Sequence, residues 1–344
     1  MNADSSKLWS PFQRISDKRK MNSENSLSPS QERLKSRNIA VLIPCLNEEQ
    51  TVAKVIEDFR KELPEAAVYV YDNNSSDRTA LIAGAAGARV VREKRQGKGF
   101  VIASMFEEVE ADLYVLVDGD DTYPAEKVHE LLRPLIDERA DMVVGNRLEE
   151  FGERSFRPFH VFGNKLVVRL VNLIFKCKLK DIMSGYRAFN SDFVRKVPIV
   201  SRGFEVETEM TLQALHYDFV IAEVPVSYRK RPEGSSSKLK TFSDGMKTLL
   251  TIFDIFKAYR PLLFFFILGA VLGCVGVLIG SIPVAEYLET GRIERFPSAI
   301  LASGIMIISV LCVAMGIILD AINHRLREVI RINVAHRPRP DRKE

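Results

Sequence analysis

The stretch Leu113 to Pro124, LYVLVDGDDTYP, joins a strongly apolar run to a dense group of carboxylates. LYVLV is too short for a helix and reads as a buried central strand. Pro124 opens a helix, because proline is tolerated at a first helical position. Between them Asp118, Asp120 and Asp121 fall within four residues. Carboxylates this close repel one another unless a positive group sits among them, and a hard divalent cation, Mg²⁺ or Mn²⁺, fits that need. Such an ion completes its shell with substrate phosphates, for which a nucleotide diphosphate is suited. Taken alone, the same residues also read as a turn whose aspartates cap the Pro124 helix.

Upstream, the chain alternates short apolar runs with helical stretches. Ile39 to Pro44 (IAVLIP) reads as a strand, Glu48 to Leu63 as a helix, Ala67 to Tyr71 and Arg89 to Val91 as strands, and Gly99 to Val109 as a helix. Downstream, Asp141 to Val144 gives a further strand. This rhythm predicts an α/β fold with a Rossmann-like, mostly parallel sheet. The first strand runs into Pro44, Cys45, Leu46, Asn47, Glu48 and Glu49, and the second into Asp72, Asn73, Asn74, Ser75, Ser76 and Asp77. Asn47 by itself reads as a helix cap followed by an acidic first turn. Open α/β sheets bind ligands at the carboxyl ends of their strands, so three polar strand ends predict one shared cleft. Neither G-x-G-x-x-G nor G-x-x-x-x-G-K-S/T is present, which removes the dinucleotide and P-loop fingerprints.

Past Asn146 come a basic loop, an apolar helix near Val161 to Phe175, the run Asp181 to Phe189, a helix around Glu205 to His216 and an extended run Val220 to Tyr228. This half is expected to carry the acceptor side of the cleft. Its cations Arg147, Lys165, Arg187, Arg229, Arg231 and Lys238 are candidates for a phosphate, since guanidinium forks suit planar, bidentate recognition. Arg147 stands apart because it follows a strand end, and Arg187 because it sits in the run SGYRAF.

Thr241 to Tyr259 places Met246, Leu249, Leu250, Phe253 and Phe256 at helical spacing. The pattern suits either a core-covering helix or one lying in a membrane interface, and its place before an apolar segment favours the interface. Residues 262–282 and 298–319 hold no charge, and at about 1.5 Å per residue each spans the roughly 30 Å hydrocarbon core. Lys257 and Arg260 precede the pair and Arg325, Arg327 and Arg331 follow it, while Arg292 and Arg295 lie between. The excess predicts a multi-pass membrane protein with its catalytic domain and both termini in the cytoplasm. The expected division is a flexible tail 1–37, an α/β domain 38–240, an interfacial helix 241–260, two transmembrane helices within 261–320 and a basic tail 321–344.

The 344 residues are 46% hydrophobic and 27% charged, which excludes a disordered or fibrous chain. A net charge of +4 is too small to argue for nucleic acid. Four cysteines without a C-x-x-C pair and five histidines without H-E-x-x-H indicate neither a disulfide framework nor a zinc site. Met1 to Arg37 has no apolar core, so no cleaved secretory signal is expected.

PCLNEE, DNNSSDRT, RQGKG, DGDDTYP, GNR and DIMSGYRAF, in this order, resemble the family 2 glycosyltransferases of GT-A fold. More narrowly they resemble the dolichyl-phosphate mannose synthase and polyprenyl-phosphate glycosyltransferase branch. The resemblance spans about residues 38 to 240. It implies an inverting hexosyltransferase that moves a sugar from a nucleotide-sugar to undecaprenyl or dolichyl phosphate at the bilayer. Pro44, Asn47, Glu48, Asp72, Asn74 and Lys98 would then hold the donor, with Asp118 at the ribose or metal shell and Asp120 as the metal ligand. Asp118, Asp120, Asp121 and Arg147 would be catalytic, and Arg147, Lys165, Arg187, Arg229 and Arg231 would face the acceptor phosphate. Thr122 stands where the mannose synthase pattern often has a glutamine, which puts a third protein ligand in doubt. A UDP-sugar is the favoured donor, with GDP-mannose as the other candidate, and a homo-oligomer, a homotetramer, is open to such a chain.

Two related activities lack their signatures. A processive polysaccharide synthase needs Q-x-x-R-W, yet the only tryptophan is Trp9. A sugar-1-phosphate nucleotidyltransferase needs a G-x-G-T-R loop, which is absent. Transfer to another lipid or glycan acceptor, and an inactive nucleotide-binding membrane scaffold, remain as alternatives.

Overall fold

The computed structural model describes residues 36–147, 158–203, 205–229, 253–254, 256–292 and 295–335. In chain order these form β1 (Ile39–Cys45), α1 (Val52–Glu62), β2 (Ala67–Asp72), α2 (Thr79–Ala85), β3 (Arg89–Arg92), α3 (Lys98–Glu108) and β4 (Leu113–Leu116). A 3-10 turn (Ala125–Lys127) leads into α4 (Val128–Ile136) and β5 (Met142–Asn146). Then follow α5 (Pro158–Phe175), β6 (Arg187–Asn190), α6 (Ser191–Lys196), α7 (Val206–His216), β7 (Ile221–Pro225), α8 (Pro261–Thr290) and α9 (Phe296–Ala335).

The seven strands lie in the order β3-β2-β1-β4-β6-β5-β7. β1 sits between β2 and β4, parallel to both, with Val41 opposite Val68 and Val115. Its alternation sorts the core: Ile39, Val41 and Ile43 join the side chains of α1 and α4, whereas Ala40 and Leu42 join those of α3, α6 and α7. α1 meets the first layer through Val52, Val55, Ile56 and Phe59, a spacing that puts all four on one helical face. Burial on both faces explains why β1 and β4 are continuously apolar.

β6 is the exception to the parallel rule, antiparallel to both β4 and β5. α5 does not carry the chain back to the amino edge of the sheet, so β6 re-enters from the carboxyl edge and runs down between its neighbours. Its short RAFN run shows no alternation that marks a strand from sequence. The detour leaves the loop 181–186 at the carboxyl edge, beside the ends of β4 and β5.

α8 and α9 are both long and apolar enough to cross a membrane, and only about a tenth of the residues in their most apolar stretches are buried inside the protein. They pack on each other through small residues, with Ser309 Oγ donating to the Gly269 carbonyl at 2.8 Å. The expected interfacial helix is helical over 253–254 and 256–259, and its residues 241–252 lie outside the described part.

Candidate active site

Three loops at the carboxyl edge turn by the same device. Asn47, Asn74 and Asp121 adopt left-handed backbone, with φ of 55°, 62° and 55°. Asparagine and aspartate reach that region more readily than other side-chain-bearing residues. Asn47 then bridges the first two loops: its Oδ1 accepts from the Ser76 N–H at 2.8 Å, and its own N–H donates to Ser75 Oγ at 2.9 Å. The Glu48 N–H donates to Thr79 Oγ1 at 2.8 Å, and Asp72, nearly buried, accepts from the Ser75 N–H. Asn74 Nδ2 donates to the Lys94 carbonyl, and Pro44 lies within β1 opposite Tyr71. Asn73 was not singled out from sequence, yet its side chain holds the Glu93 and Arg95 carbonyls and accepts from the Gly97 N–H at 2.7 Å.

Cys45 reports how closely the acidic groups converge. Burial pushes its thiol well up, and Glu48, Asp72, Asp118 and Asp120 all push it further. One such cluster at the end of a central strand is an electrostatic demand for a cation. Part of it is met by Lys98, whose ammonium bonds Asp118 Oδ1 at 2.6 Å and Glu207 Oε1. Burial alone would lower Lys98, but the two carboxylates outweigh it and hold the ammonium well above its usual range. Glu207 is a functional candidate that sequence reasoning missed, since nothing in the run EVETE separates it from Glu205 or Glu209.

The glycines around Lys98 have a visible cause. A Cβ on Gly97 would strike the Arg202 carbonyl, and one on Gly99 would strike the Ser201 carbonyl, so the chain at 201–202 lies directly on this turn. Gly97 also sits at φ 137°.

Asp120 is buried and its Oδ1 accepts from Thr122 Oγ1 at 2.6 Å. Thr122 therefore orients Asp120, and as a partner of that carboxylate it is not placed as a third ligand. Asp121, expected to be catalytic, bonds Lys54 on α1 at 2.7 Å and lies 3.9 Å from Arg229. Its left-handed backbone accompanies this pairing with α1. Among the described residues no group of three His, Cys, Asp or Glu side chains is preassembled for a metal. Two carboxylates one residue apart nevertheless fit Mg²⁺ or Mn²⁺, which take one or two protein carboxylates and rely on substrate phosphates for much of the rest.

The acceptor-side arginines separate sharply. Arg147 follows β5 and grips the fully buried Asp181 with a fork, Nε to Oδ2 at 2.8 Å and Nη2 to Oδ1 at 3.1 Å. Its guanidinium also lies 5.6 Å from the centroid of the Tyr228 ring. Burial would raise Asp181, but Arg147 outweighs it and keeps the carboxyl below the usual range. Among the described residues none accepts from Arg147 Nη1. Arg229, half exposed, reaches Glu126 at 3.3 Å, and its N–H donates to the Thr122 carbonyl at 2.8 Å. The side chain of Lys165 and the whole of Arg231 and Lys238 lie outside the described residues.

Arg187 corrects the sequence expectation. It is fully buried, and it donates to the carbonyls of Ile182 and Ser184 at 2.7 and 2.8 Å and to Thr211 Oγ1 at 2.9 Å. Burial pulls its guanidinium down to about 10. A side chain sealed in β6 cannot touch an acceptor phosphate; it pins the loop 181–186 from beneath. Arg187→Leu, which strands two carbonyls, is expected to cost about 2–4 kcal/mol, read as a lowered urea midpoint. A midpoint within error of the parent would contradict the clamp.

That pinned loop runs between Arg147 and Asp118. At one end Asp181 holds Arg147, and at the other Gly185 lies so close to Asp118 that a Cβ would stand 2.5 Å from Oδ2. The Gly185 N–H donates to the buried Tyr123 hydroxyl at 3.0 Å.

Residues 40–197 match the sequence profile described as Glycosyl transferase family 2. The chain is 30% identical over 294 residues to Glycosyltransferase AglJ of Haloferax volcanii, covering 85% of this chain and 96% of that one. It is 29% identical over 208 residues to the dolichyl-phosphate hexose transferase of the same organism, covering 60% and 89%. A structure of glucosyl-3-phosphoglycerate synthase from Mycobacterium tuberculosis, in complex with Mn²⁺, UDP-glucose and phosphoglyceric acid, superposes with a TM-score of 0.52. That likeness has 25% identity and covers 65% of this chain and 82% of that one.

Proposed function

This chain belongs to glycosyl transferase family 2, and we propose that it is a membrane-bound, inverting polyprenyl-phosphate hexosyltransferase that uses a nucleotide-sugar, with a UDP-sugar favoured. The observation that carries the proposal is the loop 181–186. It touches Asp118 of the carboxylate cluster and, four residues away, holds the Arg147 fork. A donor seated on the carboxylates and an anionic acceptor at the arginine would thus meet across one short, rigid span.

In this reading Asn47, Glu48, Asp72 and Asn74 line the nucleoside end and Lys98 approaches the diphosphate. Asp118 and Asp120 would hold Mg²⁺ or Mn²⁺, which when bound neutralises charge developing on the leaving diphosphate. A phosphate monoester has a second pKa near about 6, so at neutral pH much of the acceptor already carries two negative charges. Its ionised oxygen needs no general base. What remains for the protein is to aim that oxygen at the anomeric carbon from the face opposite the leaving group, which inverts the configuration. Arg147, backed by Asp181, and the rim cation Arg229 supply the positive end. The related hexose transferase named for dolichyl phosphate supports a polyprenyl-phosphate acceptor, and the UDP-glucose and Mn²⁺ bound by the structural neighbour support a UDP-sugar and a divalent ion. The positive residues at Lys257, Arg260 and Arg325 favour a cytoplasmic head, where nucleotide-sugars are made.

Radiolabelled UDP-glucose, UDP-N-acetylglucosamine and GDP-mannose, offered with undecaprenyl or dolichyl phosphate to the purified chain, test this directly. Label from one donor is expected to pass into the lipid phase, and excess chelator to abolish the transfer. Label that stays in water-soluble products, or turnover undiminished by chelator, would refute the proposal.

A further inference from the structure

Glu223 stands in β7, opposite Val144 of β5, and has no part in the reaction as described so far. Its carboxylate is spent on backbone. Oε1 accepts from the Lys180 N–H at 2.9 Å and from the Asp181 N–H at 2.8 Å, and Oε2 accepts from the Lys180 N–H at 3.0 Å. Asp181 in turn holds Arg147 three ways, through the two-bond fork and by accepting from the Arg147 backbone N–H at 3.3 Å. One residue therefore joins Glu223 to Arg147, by its peptide on one side and its carboxylate on the other.

The loop 181–186 is tied by two devices that divide the work. Arg187 donates to carbonyls, those of Ile182 and Ser184, whereas Glu223 accepts from N–H groups at the start of the loop. Arg187 thus fixes the chain from 182 onward. The turn of the 180–181 peptide, on which the aim of the Asp181 side chain depends, is left to Glu223. Burial pushes the Glu223 carboxyl above its usual range, against the pull of the two N–H groups. A group whose folded pKa is raised favours the fold in its protonated form and loses that contribution as pH rises through the folded value. At neutral pH its charge is thus a burden to stability, and what the side chain supplies is a well-placed acceptor.

We propose that Glu223 is a positioning residue for the acceptor end of the cleft: by fixing the 180–181 peptide it sets where Asp181 presents Arg147 to the lipid phosphate. Its action is one of geometry, and the acceptor is felt only through Arg147. The inference rests on the reading of Arg147 as the acceptor's grip. Charge and position are separable at this site because Oε1 alone accepts from both N–H groups. Glutamine keeps that oxygen without the charge. Aspartate keeps the charge but withdraws it by about one carbon–carbon bond, ~1.5 Å, which takes contacts of 2.8 and 2.9 Å out of hydrogen-bond range.

The test measures initial rates of the full-length chain in detergent with labelled nucleotide-sugar and undecaprenyl or dolichyl phosphate, beside calorimetry for donor affinity and urea midpoints. Glu223→Asp is expected to raise KM for the lipid phosphate about five- to tenfold, with kcat and donor affinity within about twofold of the parent. Glu223→Gln is expected to stay within about twofold in all three and to keep or raise the urea midpoint. A purely structural role would lower the fraction of folded enzyme, hence the apparent kcat, and leave KM alone. Unchanged KM in Glu223→Asp, or a rise in Glu223→Gln as large as in Glu223→Asp, overturns the inference, the latter because charge would then be what matters. Arg147→Ala is the reference. If it raises the lipid KM while Glu223→Asp does not, only the role of Glu223 falls. If Arg147→Ala leaves that KM unchanged, or the parent uses neither lipid phosphate, the acceptor reading falls and takes this inference with it.

Discussion

Asp120→Asn is expected to cut the transfer rate by about 10²–10³-fold while leaving the melting temperature unchanged or slightly raised. The substitution keeps shape and keeps an oxygen for the Thr122 hydroxyl, so the buried turn after β4 survives. It removes one negative charge from a place where Glu48, Asp72, Asp118 and Asp120 all act on Cys45. Relieving that repulsion favours the fold and takes away a charge that a divalent ion would need. Opposite signs in activity and stability distinguish a functional carboxylate from a structural one. A variant that lost stability and rate together would place Asp120 in the structural class, and one that lost neither would show it to be dispensable.

Arg147→Ala is expected to lower kcat/KM for the lipid acceptor by at least about 10²-fold and to leave nucleotide-sugar affinity within about twofold. From sequence this arginine read as a free grip for phosphate. In the structure its Nε and Nη2 are committed to the fully buried Asp181, so truncation also leaves an unpaired carboxylate inside the protein. Breaking such a pair costs about 3–5 kcal/mol. The double variant Arg147→Ala with Asp181→Asn separates the effects: it is expected to regain most of the stability and none of the acceptor use. Calorimetry for donor affinity, urea midpoints for stability and initial rates for acceptor use read the three quantities. Donor binding lost in the stable double variant would contradict the division of the cleft.

The first half of the fold was legible because its strands are buried on both faces and end in polar turns. Ile39 to Pro44 and Leu113 to Val117 show this plainly, and β1 and β4 occupy those positions. The two short helices α2 and α6 escaped notice, since seven and six residues carry too little periodicity. β6 was hidden for a different reason. Its four residues owe their place to the topology of the return, and Arg187 in a strand looks no different from Arg187 in a loop until its burial is seen. The polar turns that end β1, β2 and β4 were legible because asparagine and aspartate favour left-handed backbone. Partners were not, because Lys98 with Glu207 and Arg147 with Asp181 are separated by 109 and 34 residues, and no local pattern joins them.

If the lipid phosphate oxygen is the nucleophile and attacks opposite the leaving diphosphate, one property of the product follows without further assumptions. Purified lipid product from an α-linked nucleotide-sugar, examined by proton NMR at the anomeric position, is expected to be a β-linked sugar phosphodiester carrying a single hexose. An α-linked product, or a sugar attached through anything other than the lipid phosphate, would contradict it.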